Sequence, residues 1–321
     1  MRTSARIVNL RQFVSPSWRH VRLAALFLVV LGWLTILPST YAQQSNEKTF
    51  ATPGDAVEAL YLAAKANDQA ALSAIFGTSA GDLLHSGDAV ADKRMIDNFV
   101  QRYDRMHRVV IEPDGTATLY IGAENWPTPI PLVKTSSGSW YFDAESGKTE
   151  ILYRRVGANE NDAIEICYAL VAAQQDYASE VRSGESSKRY ALRFISDDGK
   201  QNGLFWKVSN GEPPSPIGPL LADATAEGYT KQKVENPYHG YYFRILEKQR
   251  VGKKEYSMNG TLSQGFAFLA YPAQYRNSGV MTFIVNQDGV IYQKDLGPDT
   301  ESIASKMTEY APDDSWDPVD Q

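Results

Sequence analysis

The sequence predicts an α+β protein of two domains, each with helices packed on an antiparallel sheet. Three observations carry that expectation. Apolar residues recur at helical spacing from Val57 to Met106 and then switch to strand-like alternation from His107 to Phe142. A second helical stretch, from Asp162 to about Glu180, precedes a second set of alternating segments. Ser278 to Gln293 reads as a β-hairpin at the centre of that second domain. Val280, Thr282 and Ile284 alternate with Met281, Phe283 and Val285, so both faces of this strand are apolar enough to be covered. Asn286-Gln287-Asp288-Gly289 supplies the turn, with Asp288 and Gly289 suited to positive φ, and Val290, Ile291 and Tyr292 return the chain.

Residues 1–42 carry a signal-peptide pattern: Arg2, Arg6, Arg11, Arg19 and Arg22 with no acid, the largely apolar run Leu23–Leu37, then Pro38 and Thr40-Tyr41-Ala42. Cleavage is expected after Ala42, leaving no stable membrane span, because fifteen apolar residues fall short of the ~20 that a spanning helix needs. No cysteine follows the run to take a lipid. Cleavage removes five of the 32 basic residues and none of the 38 acidic ones, so the remainder has 27 against 38 and a net charge of −11. An exported acidic chain is unsuited to nucleic acid. Cys167 is the single cysteine, which excludes an internal disulfide and leaves stability to packing. It sits among Ile164, Ile166, Leu170 and Val171 with no His nearby, the setting of a small buried hydrophobe.

In chain order, residues 43–50 are expected to form a polar, flexible leader and residues 51–150 the first domain. Thr52-Pro53-Gly54-Asp55 starts a helix, with Thr52 as its cap. Asn67-Asp68 starts a second, carrying Leu72, Ile75 and Phe76 and closed by Gly77. A third follows Asp92, with Met95, Ile96, Phe99, Val100, Tyr103 and Met106 in one stripe. Four strands follow over residues 107–113, 116–122, 129–135 and 139–144, with turns at Asp114-Gly115 and Ser136-Ser137-Gly138. This order and the ending Gly138-Ser139-Trp140-Tyr141-Phe142-Asp143 resemble the cone-shaped folds of the nuclear-transport-factor-2-like superfamily, a fold that hosts enzymes and binding modules alike.

Residues 151–311 form the second domain, entered through a polar connector, Glu150–Asn161. On its helix Ala163, Ile166, Cys167, Leu170, Gln174 and Tyr177 share a face. Ala191–Ile195 follows, then a loop over residues 211–219 too rich in Pro and Gly for regular structure. Strands are expected over Tyr241–Glu247, Gly265–Tyr271 and the hairpin, with a closing helix over Asp299–Tyr310. Residues 312–321 read as a frayed acidic tail.

Glu160-Asn161-Asp162-Ala163-Ile164, Ala173 to Ala178, Pro237 to Phe243, Tyr271-Pro272-Ala273-Gln274-Tyr275 and Ser278 to Pro298 resemble the domain-of-unknown-function 2950 family of secreted bacterial proteins. The resemblance implies a periplasmic or secreted location, no known activity, and a companion in the form of another exported envelope protein encoded nearby. The same helix and terminal hairpin are similar to the globular heads of type IV pilin-like proteins. The Arg-rich N-terminus lacks the Gly-Phe-Thr-Leu-Ile-Glu processing motif of pilins, which sets the chain apart from filament subunits.

No catalytic signature stands out. His85, His107 and His239 lie far apart and show no metal-ligand spacing, and Gly-x-Ser-x-Gly, phosphate-loop and dinucleotide motifs are absent, so neither a cofactor nor a metal is expected. Asp197-Asp198-Gly199 lacks the alternation of a calcium loop and reads as a turn. The candidate binding residues are Tyr238, His239, Tyr241 and Tyr242, entering one strand, with Tyr271, Tyr275 and Arg276 on a neighbouring one; aromatic rings with polar tips suit a binding surface, as they also suit packing beneath the Pro-rich loop. The expected function is an exported, non-catalytic binding or structural module that contacts another envelope component. The alternative is a periplasmic hydrolase with its site near His239.

Overall fold

A computed structural model of the chain describes residues 47–182, 185–208, 214–229, 236–249, 256–258 and 261–319. The signal-peptide segment, its cleavage position and residues 211–213 of the Pro-rich loop lie outside these.

Helix α1, Pro53–Lys65, starts on a reciprocal cap: Thr52 Oγ1 accepts from the Asp55 amide and Asp55 Oδ2 accepts from the Thr52 amide, each at 3.1 Å. Helix α2, Gln69–Phe76, is capped by Asp68 and stopped by Gly77 at φ +60°. A short 3₁₀ turn leads into α3, Ala80–Leu84, and α4 runs from Ala89 to Arg105. The third long helix thus begins three residues before Asp92, because Asp88 Oδ1 accepts from the amides of Val90 and Ala91, both at 3.1 Å. Of the expected stripe, Ile96 and Tyr103 are buried, whereas Met95 and Met106 are exposed.

Strands β1, His107–Ile111, β2, Ala117–Ile121, β3, Trp126–Pro127, β4, Leu132–Lys134, and β5, Trp140–Phe142, form an antiparallel sheet in the order β1-β2-β4-β5, with β3 also on β2. The alternation is literal in β2, where Ala117, Leu119 and Ile121 are buried and pack with Val57, Leu72, Ile75 and Phe142 in the first core.

Helix α5 covers Ala144–Tyr177, 34 residues or about 50 Å. The expected connector over residues 150–161 is therefore not a loop. Its polarity belongs to the solvated helix face, as in the Glu150–Arg154 pair at 2.7 Å, and to three side chains that clamp neighbouring loops. Arg155 donates to the carbonyls of Asp82 and Leu83 and to Asn277; Asn159 donates to the Ser278 carbonyl at 2.8 Å; Glu160 accepts from the amides of Val280 and Met281. Helix α5 starts in the first core and ends in the second.

Beyond it come α6, Gly218–Ala226, and strands β6, Tyr241–Leu246, β7, Lys248–Gln249, β8, Ser257–Met258, β9, Thr261–Leu262, β10, Ala267–Pro272, β11, Met281–Asn286, and β12, Ile291–Asp295. Then follow α7, Thr300–Ala304, β13, Glu309–Tyr310, and β14, Asp317–Pro318. The main sheet is antiparallel in the order β14-β12-β11-β10-β6, so the β11–β12 hairpin lies at its centre. Thr282, Phe283, Ile284 and Val285 are each 1% exposed or less, with α5 and the second core against them. In the turn only Gly289 has positive φ, +76°; Asp288 instead exchanges side-chain and backbone hydrogen bonds with Asn286. Cys167 is fully buried in this core, and burial pushes its thiol up to about 12.

Three expectations fail here. Helix α6 emerges at the end of the Pro-rich loop, with Pro219 in its first turn, where a fixed φ suits a helix start. The closing helix shrinks to α7, because Glu309-Tyr310 pairs in parallel with β7. The acidic tail is packed as far as Val319: β14 pairs with β12, Trp316 is buried, and the Val319 amide donates to the Ile291 carbonyl at 2.9 Å. The described residues belong to one compact unit with two five-stranded sheets, two small two-stranded ones and two cores, and among them no helix is long and apolar enough to cross a membrane.

Candidate functional site

The aromatic stretch before β6 folds as a two-residue turn. Tyr238 and Tyr241 exchange both backbone hydrogen bonds, at 2.8 and 3.1 Å, and the central His239 and Gly240 have φ +50° and +75°. Positive φ at both central positions is what a type I′ turn requires, and Asn-Gly is its favoured pair. Gly240 is needed twice over, since a Cβ there would also meet Asn159 Nδ2 at 2.4 Å. A histidine at φ +50° is an uncommon residue for its place, and side-chain contacts hold it there.

Those contacts use both ring nitrogens. Nδ1 bonds Asp162 Oδ2 on α5, and Nε2 lies 2.7 Å from Glu227 Oε2 at the end of α6. Arg94 on α4 reaches the same Glu227 oxygen at 2.7 Å. Burial works against charge on His239, but the hydrogen bonds to Asp162 and Glu227 outweigh it and raise the imidazole above its ordinary pKa. With a carboxylate at each nitrogen, the ring is held as an imidazolium.

Beneath the turn Asp88, 2% exposed, joins the two modules. Its Oδ2 accepts from the Tyr229 hydroxyl at 2.7 Å and the Gly240 amide at 3.0 Å, while Oδ1 caps α4. Burial first, then the Asp88 charge, drives the Tyr229 phenol far above its usual pKa, so it stays a donor. The Tyr238 hydroxyl is pushed up to about 12 by burial and by Glu227, Asp223 and Asp162.

On one side of the turn lies a cavity of about 430 Å³, within the ~300–1,000 Å³ usual for ligand sites. Ile166 and Leu170 of α5, Leu220 and Leu221 of α6, Phe194 and Tyr238 are among the residues that line it. On the other side a second cleft of about 430 Å³ runs along α4 past Arg94, Asn98, Arg102, Asp162 and His239. Among the described residues no group of three or more His, Cys, Asp or Glu is arranged to hold a metal ion.

The sequence candidates separate in space. Tyr238 lines the first cavity and His239 the second cleft. Tyr241 is core: it is fully buried, and its hydroxyl donates to the Met281 carbonyl at 2.9 Å. Tyr242 and Tyr271 pair at 5.3 Å between ring centres and line a third hollow of about 750 Å³ with Arg244 and Glu301. Tyr275 donates to Asp295 at 3.1 Å, and Arg276 lies over the Tyr275 ring; neither lines any of these hollows. Nothing in the sequence singles out Asp88, Arg94, Glu227 or Tyr229 as site residues, and Asp162 figures there only as a helix start and within a family-like stretch. The single local signal among them was Asp88 as a cap, four residues ahead of the helix start expected from Asp92.

A family profile described as "Protein of unknown function (DUF2950)" matches residues 47–319. Neither the curated proteins nor the solved structures contain a match. The profile spans most of the chain, and the chain belongs to the DUF2950 family.

Proposed function

We propose that this DUF2950 protein is exported to the cell envelope and works there by binding, without catalysis, with the apolar cavity beside Tyr238 as its ligand seat. The observation that carries this reading is the state of His239. A general base needs a ring lone pair facing the substrate or its water, and both nitrogens of His239 are occupied by Asp162 and Glu227. That counts against the hydrolase alternative. Meanwhile the adjoining cavity has the size and apolar lining of a ligand site. The Arg-rich start and the apolar run Leu23–Leu37 support export. Three helices over the first sheet and the α5–hairpin packing in the second support a cone-like first module and a pilin-head-like second one.

The test is the purified protein with a panel of ester, phosphate, peptide and glycan substrates, beside titration with the neutral fluorophore N-phenyl-1-naphthylamine. Binding of the fluorophore that Leu221→Trp abolishes, with no turnover, is the expected result. Turnover lost in His239→Ala would overturn the reading. Crosslinking in envelope extract tests for the companion protein, and an empty pull-down would remove it.

A further inference from the structure

We infer that the cavity beside Tyr238 takes an uncharged amphiphile, an apolar body carrying a carbonyl oxygen of the ester or amide kind, which accepts a hydrogen bond from the Tyr238 hydroxyl. The inference rests on the binding reading above and narrows it to a chemical class.

Three features exclude charged ligands. Among the described residues no Lys, Arg or His lines the cavity, so an anionic headgroup would meet no counter-charge from them. The cations nearest Tyr238, Arg94 and His239, are already paired with Glu227 and Asp162. A cation fares no better, because the carboxylates nearest the site are already satisfied: Asp88 accepts four hydrogen bonds, Asp162 holds His239, and Glu227 holds both His239 and Arg94. Asp223 is exposed on the outer side of α6. The positive end of α4, which borders the cavity at Ala89 and Val90, is spent on its cap, Asp88. A desolvated charge without a partner costs far more than apolar burial returns in a space of this size.

Asp88 and Tyr229 aside, the polar side chains on the wall among the described residues are Asn236, which is exposed, and Tyr238. The Tyr229 hydroxyl is committed to Asp88, whereas the half-buried Tyr238 hydroxyl makes no hydrogen bond among the described residues. Its ring is fixed by edge contacts with Tyr229 at 4.9 Å and His239 at 4.3 Å, so the donor is positioned before any ligand arrives. Being held neutral well above physiological pH, it keeps its O–H as a donor. A carbonyl oxygen is the matching group, and the Ile, Leu and Phe side chains of the wall match an acyl chain.

The experiment displaces N-phenyl-1-naphthylamine from the purified protein with monolauroylglycerol, laurate or dodecyltrimethylammonium, each below its micelle concentration. Monolauroylglycerol is expected to compete at least tenfold better than either charged amphiphile. Tyr238→Phe should weaken monolauroylglycerol by roughly five- to tenfold, the loss of one neutral hydrogen bond, and leave the fluorophore unchanged. Equal competition by laurate or the cation, or an unaltered monolauroylglycerol affinity in Tyr238→Phe, overturns the inference and leaves the binding reading standing. Failure of the fluorophore to bind, or binding that survives Leu221→Trp, overturns the binding reading, and the inference falls with it.

Discussion

Asp88→Ala removes one side chain and orphans four donors. The amides of Val90 and Ala91 lose their cap, a loss that usually costs about 1 kcal/mol. The Tyr229 hydroxyl and the Gly240 amide lose their acceptor in a place that is nearly closed to water, at ~1–3 kcal/mol each. The total is about 3–7 kcal/mol, a large share of the ~5–15 kcal/mol by which domains are stable. Asp88→Asn separates the parts. Its oxygen can keep the helix cap, but its amide nitrogen cannot accept from Tyr229 and Gly240, so it should cost less than Ala yet still above ~1 kcal/mol. Urea unfolding followed by far-ultraviolet circular dichroism reads both values. An Asp88→Ala protein within 1 kcal/mol of the parent would refute the idea that this carboxylate joins α4 to the His239 turn.

Stability should depend on pH through His239. A group whose folded pKa is raised stabilises fully below its ordinary value near 6.5, and the gain is lost as pH rises through the folded value. The stability gap between the parent and His239→Asn, a residue that also suits the turn, should therefore be wider at about pH 6 than at about pH 9, and urea midpoints showing the same gap at both would defeat the ion-pair account. Cys167 should resist thiol reagents until the protein is unfolded, and Cys167→Ala should cost on the order of 1 kcal/mol; rapid labelling of the native protein would contradict its burial. Gly289→Val places a β-branched residue at φ +76° and should cost ~1–3 kcal/mol from backbone strain alone, since nothing lies within 4 Å of the added Cβ. Ile284→Asp buries an unpaired charge in the central strand and should cost about 4 kcal/mol or more, and a melting temperature equal to the parent's would contradict the sheet order.

Features written in short-range patterns were legible from sequence. The Thr52–Asp55 cap, the alternation of β2, the doubly buried strand of the hairpin and the fate of Cys167 each depend on residues a few positions apart. The site did not have that property. Asp88 meets Tyr229 and Gly240 across 141 and 152 residues, and His239 meets Asp162 across 77. The sequence therefore pointed to His239 and Tyr238 by composition and offered no reason to join them to Asp162 or Glu227. Tyr241, equally prominent in the sequence, proved to be core because strand alternation turns it away from Tyr242. The connector over residues 150–161 was misread because its face is polar, and polarity cannot separate a loop from a helix whose charged residues each have a partner.

The unbroken α5 also imposes an order of assembly on the growing chain. Its first turns complete the first core with Ala144, so that core can close as soon as they emerge. Its later turns carry Ile166, Leu170, Val171 and Tyr177, whose partners on β10 and β11 come about a hundred residues further on. During that interval a long apolar stripe projects from an already folded half with nothing to cover it. Delay of this kind slows folding and invites capture by whatever binds exposed apolar helices, so the protein is most vulnerable between the synthesis of Tyr177 and that of Val285.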